Sequence, residues 1–132
     1  MFEDGYPRLA DFGLAKKLKP EEKAYEVRGT ILYVSPEMMK NKGYDHGNDL
    51  WGLGILLYEL LFRRSPFPAS IVKSRNFEKH VTDFAYRPQP QECSKEGFDL
   101  IKRLLVLNPA ERIGYHNMEE IKKHPFFSEI DW

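Results

Sequence analysis

The stretch Asn48 to Phe62, NDLWGLGILLYELLF, constrains the fold of this chain more than any other. After an acidic start nearly every position is apolar, aromatic or glycine, and a helix apolar on all sides must be buried on all sides. A central core helix is therefore predicted. Asn48 or Asp49 is placed to cap its first free backbone N–H groups, and Arg63 and Arg64 stand at the negative end of its dipole. Gly52 and Gly54 each cost a helix about 1 kcal/mol against alanine, so another backbone is expected to pass close to them. A membrane span needs roughly 18–20 apolar residues, and this run is shorter and contains Glu59.

The rest of the chain is read outward from that helix. Tyr6 to Ala10 follows a turn signal at Glu3-Asp4-Gly5 and reads as a short strand, with Pro7 arguing for an edge or a strand start. Leu14 to Tyr33 is polar, mixed in charge and without a sustained period, the signature of a long loop that is functional or mobile. Ser35-Pro36 is a helix start, serine as N-cap and proline at the first helical position, and Gly43 is expected to end that helix. Beyond the central helix Ser65-Pro66-Phe67-Pro68 is a rigid turn, and Ala69 to Val81 is expected to be helical with Phe77 and Val81 on one face. Thr82 to Cys93, with Pro88 and Pro90, reads as an irregular connection. Ser94 opens a helix on which Phe98, Ile101 and Leu105 share a face, stopped by Asn108-Pro109. Asn117-Met118-Glu119-Glu120 opens a last short helix that ends at His124-Pro125. The fold class is mainly α, a short strand and a long loop followed by helices around a buried one.

Composition narrows the function. The 132 residues suffice for one domain or part of one, and 42% hydrophobic content suits a globular chain. Twenty basic and twenty acidic residues cancel, so no long-range field draws the chain to nucleic acid or to a membrane surface. The single cysteine, Cys93, excludes an internal disulfide and a cysteine-clustered zinc site. The first residues have neither a basic nor an apolar leader pattern, and a cytoplasmic, reducing location fits best.

A strand ending in Asp11-Phe12-Gly13 presents a carboxylate at a flexible point, and a carboxylate beside phosphates is a natural magnesium ligand. Taken alone, Asp11 reads as a turn or capping acid. The same chain, however, carries a long polar loop, then GTILYVSPE, then the D-x-W-x-x-G of Asp49, Trp51 and Gly54. In this ordered set it resembles a protein kinase, from the strand before Asp11 to Trp132. The resemblance implies a partial kinase domain over residues 1–132, the C-terminal lobe from Asp-Phe-Gly onward. Asp11, Phe12 and Gly13 match the magnesium-binding motif, and Ser35-Pro36-Glu37 stands in place of Ala-Pro-Glu. The loop between them matches the activation segment, and Thr30 matches the threonine typical of serine/threonine kinases. It further implies that Asp49 holds the catalytic loop's backbone, that Glu37 pairs with Arg112, and that Glu59 meets an arginine of a basic protein substrate or is a solvated helix-end acid. The implied cofactors of the complete enzyme are ATP and Mg2+.

The ending HPFFSEIDW, with DFGLAKKL and ERIG, is similar to the AGC group near the cyclic-nucleotide-dependent kinases, with the calmodulin-dependent type as runner-up. Glu26 stands where AGC kinases commonly carry a phosphorylated threonine, four residues before Thr30. Either it supplies built-in charge, about −1 against −1.5 to −2 for a phosphate, or it is a solvated loop acid. Ile31 and Leu32 replace a usual Pro-Glu. Residues 1–132 contain no glycine-rich phosphate loop, no ATP-binding strand lysine and no His-Arg-Asp catalytic loop. The chain alone is thus expected to be inactive, to bind no ATP, and to associate or loosen through apolar surface that the catalytic loop and its helix would cover. A kinase-like binding module without catalysis is the alternative reading.

Overall fold

The computed structural model describes residues 8–83 and 93–132, and both described stretches are mainly helical. The helices are α1 (Pro36–Met39), α2 (Gly47–Phe62), α3 (Ala69–Val72), α4 (Phe77–Thr82), α5 (Lys95–Leu104) and α6 (Glu119–Lys122). Short 3-10 turns at Phe12–Leu14, Ile31–Tyr33, Pro109–Glu111 and Pro125–Phe127 join them. No helix of the described residues is long and apolar enough to cross a membrane.

The predicted α2 forms, and its start and its surroundings differ from expectation. It begins at Gly47, so Asn48 and Asp49 lie inside the first turn, past the capping position. His46 is the N-cap and makes no side-chain cap bond, whereas the Asp45 carboxylate accepts the Gly47 N–H at 2.9 Å. Nor is the helix buried all round. Leu50, Trp51, Gly54, Ile55 and Tyr58 are buried, and Leu53, Leu56 and Leu60 are exposed along one stripe, Leu60 at 70%. These three positions recur at helical spacing.

The covered side of α2 faces two apolar clusters. One gathers Trp51, Ile55 and Tyr58 with Phe67, Val72, Phe77, Val81, Ile101 and Leu105. The Phe67 ring stacks on Trp51 at 5.7 Å and meets Phe77 edge-on at 5.2 Å. The other joins Leu50 to Leu100, Leu104, Ile113 and Ile121. Helix α5 divides its residues between the two and crosses α2 at Gly54, where an added Cβ would lie 2.8 Å from Leu105 and 2.9 Å from Leu104. At Gly54 the close approach is made by the Leu104 and Leu105 side chains of α5 and its C-cap, where a backbone was expected. Gly52 has nothing within 4 Å of an added Cβ, because it lies on the open side.

Other boundaries moved for local reasons. Helix α1 stops at Met39, capped by Ser35 Oγ accepting the Met38 N–H, and Gly43 sits in the turn beyond it at φ +77°. The expected helix over 69–81 divides at Ser74-Arg75-Asn76 into α3 and α4, yet Val72, Phe77 and Val81 all stay buried. Helix α5 ends at Leu104, with Leu105 as its C-cap, before Asn108-Pro109. Residues 8–10 adopt no strand, since no neighbouring strand among the described residues offers them a ladder. The rest of that expected strand, the turn before it and most of the Thr82–Cys93 connection lie outside the described residues.

Candidate functional site

Asp11 sits in the left-handed region at φ +62°, a conformation in which aspartate is several-fold enriched. Its carboxylate accepts the Gly13 N–H at 3.4 Å across the turn, and the residue is exposed. Phe12 and Leu14 beside it are exposed. A cleft of about 920 Å³ runs from this turn to the first turns of α2, lined by Asp11, Phe12, Tyr33, Asp49, Leu53 and Leu56 among others. Asp11 and the N-terminal end of α2 therefore face one space.

Asp49 projects from the first turn of α2 without a hydrogen-bond donor on its carboxylate among the described residues. Desolvation raises its pKa, with His46 pulling weakly the other way. Among the described residues no group of three or more His, Cys, Asp or Glu side chains could hold a metal. Magnesium needs no such group, since it is commonly held by one or two carboxylates together with substrate phosphates. A single carboxylate such as Asp11 fits that partial share.

Farther along α2, Glu59 accepts a hydrogen bond from the Tyr33 hydroxyl, and that bond is the leading cause of the raised Tyr33 pKa. Sequence reasoning singled out Glu59 and passed over Tyr33. Thr30 ends the loop just before, followed by the 3-10 turn Ile31–Tyr33, and Gly29 at φ +98° supplies a conformation that other residues resist. Glu26 points to solvent, its carboxylate 2.9 Å from Arg28 two positions on, both largely exposed.

Behind the loop lies a buried ion pair. Arg112, fully buried, donates from Nη1 to Glu37 Oε1 at 2.7 Å and from Nη2 to Glu37 Oε2 at 2.8 Å. The same guanidinium donates to the carbonyls of Gly47 at 2.7 Å and Val106 at 2.9 Å, and lies 5.2 Å from the Trp51 ring. It thus fastens α1, the start of α2 and the 106–112 turn at one point. Ser35, Pro36 and Glu37 are all buried there.

The protein kinase domain model matches residues 1–127. The chain belongs to the protein kinase family. It is 39% identical over 131 residues to ribosomal protein S6 kinase alpha-6 of Homo sapiens and 38% identical over 133 residues to ribosomal protein S6 kinase 2 beta of Xenopus laevis. It is also 38% identical over 131 residues to cGMP-dependent protein kinase 2 of Mus musculus. Each alignment covers 98% of this chain but 17, 21 and 17% of the respective relative, so the chain spans about a fifth or less of the relatives' length. These matches agree with an AGC-like kinase, and the helical architecture with part of a kinase C-terminal lobe.

Proposed function

We propose that residues 1–132 are the portion of a serine/threonine protein kinase domain that runs from the Asp-Phe-Gly turn to the end of the C-terminal lobe. In the complete enzyme it takes part in phosphoryl transfer from ATP to a protein Ser or Thr. The observation that carries this reading is the single cleft shared by Asp11 and the start of α2, backed by the Glu37–Arg112 pair. Bound Mg2+ would neutralise charge on the transferring phosphate, and Asp11 would be one of its ligands. Asp49, raised by desolvation and short of donors, suits a carboxylate that holds backbone N–H groups of a catalytic loop. Glu59, already oriented by Tyr33, would receive a cationic side chain of the substrate at the other end.

Residues 1–132 contain no His-Arg-Asp motif and no glycine-rich phosphate loop, and phosphoryl transfer is not expected of them alone. In a protein that carries the whole kinase domain, Asp11→Asn would remove one metal ligand and lower kcat at least about 100-fold, the scale of losing one preorganised charge partner. Retained phosphoryl transfer by Asp11→Asn would refute the assigned metal role. The coding sequence immediately before Met1 decides the remaining choice. His-Arg-Asp followed by Asn supports the enzyme, and its absence leaves the non-catalytic binding module.

A further inference from the structure

Between Asp11 and Thr30, Ala24 is the one buried residue, at 2% exposure in a loop otherwise exposed apart from half-buried Leu18. It is buried because it bridges to Tyr44, each backbone N–H donating to the other's carbonyl at 2.8 Å. The Tyr44 hydroxyl then donates to the Glu26 carbonyl, also at 2.8 Å. On either side of the bridge, Lys23 Nζ lies 3.8 Å from Asp45 Oδ2, and the Tyr25 ring covers Gly43 so closely that an added Cβ would stand 3.0 Å from it. Asp45 is itself fixed, accepting from Gly47 N–H and from the Tyr115 hydroxyl, each at 2.9 Å. Residues 23–26 are thereby fastened to the lead-in of α2.

The Glu26 carboxylate does not contribute to this fastening. Its partner Arg28 belongs to the same loop, so their contact restrains the loop against itself, and an exposed pair is weak in any case. We infer that Tyr44 is a positioning residue for the activation segment, holding its base against the start of α2 through the Ala24 bridge and the Glu26 carbonyl, independently of the charge at position 26. The inference rests on the proposed function only in naming this loop the activation segment. Phosphoryl transfer does not enter its test, so either reading can fail while the other stands.

The test is amide hydrogen exchange on the 132-residue chain, comparing peptides over residues 19–27 and 41–47 with those over α2 and α5. Tyr44→Phe deletes one hydroxyl bond and is expected to speed exchange in both loop peptides about fivefold, the factor that one net hydrogen bond commands. Gly43→Ala, which drives a methyl into the Tyr25 ring, speeds it at least as much. Glu26→Gln leaves it unchanged. Acceleration by Glu26→Gln without acceleration by Tyr44→Phe would overturn the inference. So would an Ala24 amide unprotected in the unsubstituted chain, or a Tyr44→Phe effect spread equally over α2 and α5.

Discussion

Replacing Arg112 with Ala leaves the Glu37 carboxylate, itself 7% exposed, buried without its cation, and strips the Gly47 and Val106 carbonyls of their donors. The guanidinium side chain is 0% exposed, so solvent screens none of this. Breaking a buried pair from one side costs about 3–5 kcal/mol. That is a large share of the roughly 5–15 kcal/mol that holds a domain together. At about 4 °C per kcal/mol for a chain of this length, the melting temperature should fall by about 12–20 °C. Circular dichroism at 222 nm, followed through a thermal ramp at low protein concentration, reads the change.

A double-mutant cycle separates the pair from the rest of the arginine's contacts. Glu37→Gln keeps hydrogen-bonding capacity beside a guanidinium still received by three backbone carbonyls, Gly47, Val106 and Leu107, so it costs less than Arg112→Ala. In the double variant Glu37→Leu with Arg112→Leu neither charge is buried alone, and its loss is smaller than the sum of the single leucine substitutions. Two results would refute the reasoning. One is an Arg112→Ala melt within about 4 °C of the parent, the scale of an exposed pair. The other is strict additivity in the cycle.

Gly54→Ala should destabilise by about 1–3 kcal/mol through overpacking against α5, while Gly52→Ala, with open space around it, should gain up to about 1 kcal/mol; denaturant titration compares them, and equal effects would contradict the α2–α5 crossing. Burial by itself would raise the Asp45 pKa, but the Gly47 N–H, the Tyr115 hydroxyl, Lys23 and His46 together hold it below the ordinary 3.8. A lowered carboxylate stabilises the fold above that value and loses its contribution as pH falls through the folded-state pKa. The stability gap between the parent and Asp45→Asn should therefore be full at pH 6 and close below pH 3.8, and a gap that widens in acid would reverse the sign. Because each buried leucine contributes about 1.5–3 kcal/mol, Leu56→Lys with Leu60→Lys should weaken self-association of the chain about 100-fold or more in sedimentation velocity. A parent chain that is strictly monomeric at high concentration would remove the basis for that expectation.

The sequence made the covered side of the molecule legible because burial writes itself as periodicity. Leu100, Ile101 and Leu104 repeat at helical spacing and are buried, and Phe77 and Val81 share their face even though the helix expected around them breaks at Ser74-Arg75-Asn76. What the pattern could not distinguish was which of two chemically equal residues does a job. Gly52 and Gly54 read alike until α5 is placed against one of them. Asn48 and Asp49 are both good caps by type, yet Gly47 opens the helix, His46 is its N-cap, and the first N–H is received by Asp45. Tyr33, Tyr44 and Tyr115 gave no signal of their own, since each acts through a hydroxyl aimed at a partner at least 18 positions away.

The same division separates the packed side of α2 from the side that carries the proposed site. One side of α2 is closed by two apolar clusters and by the Arg112 junction, interactions that residues 8–83 and 93–132 supply among themselves. The other side carries Leu53, Leu56 and Leu60 in the open, Asp49 without a donor among the described residues, and the cleft that leads to Asp11. Apolar side chains beside an unpartnered carboxylate form a surface suited to another segment that brings both greasy cover and backbone N–H groups. On the proposed reading, stability and function are thus borne by opposite faces of one helix. Substitutions on the Trp51 face should therefore change melting temperature first, and those on the Leu56 face should change association first.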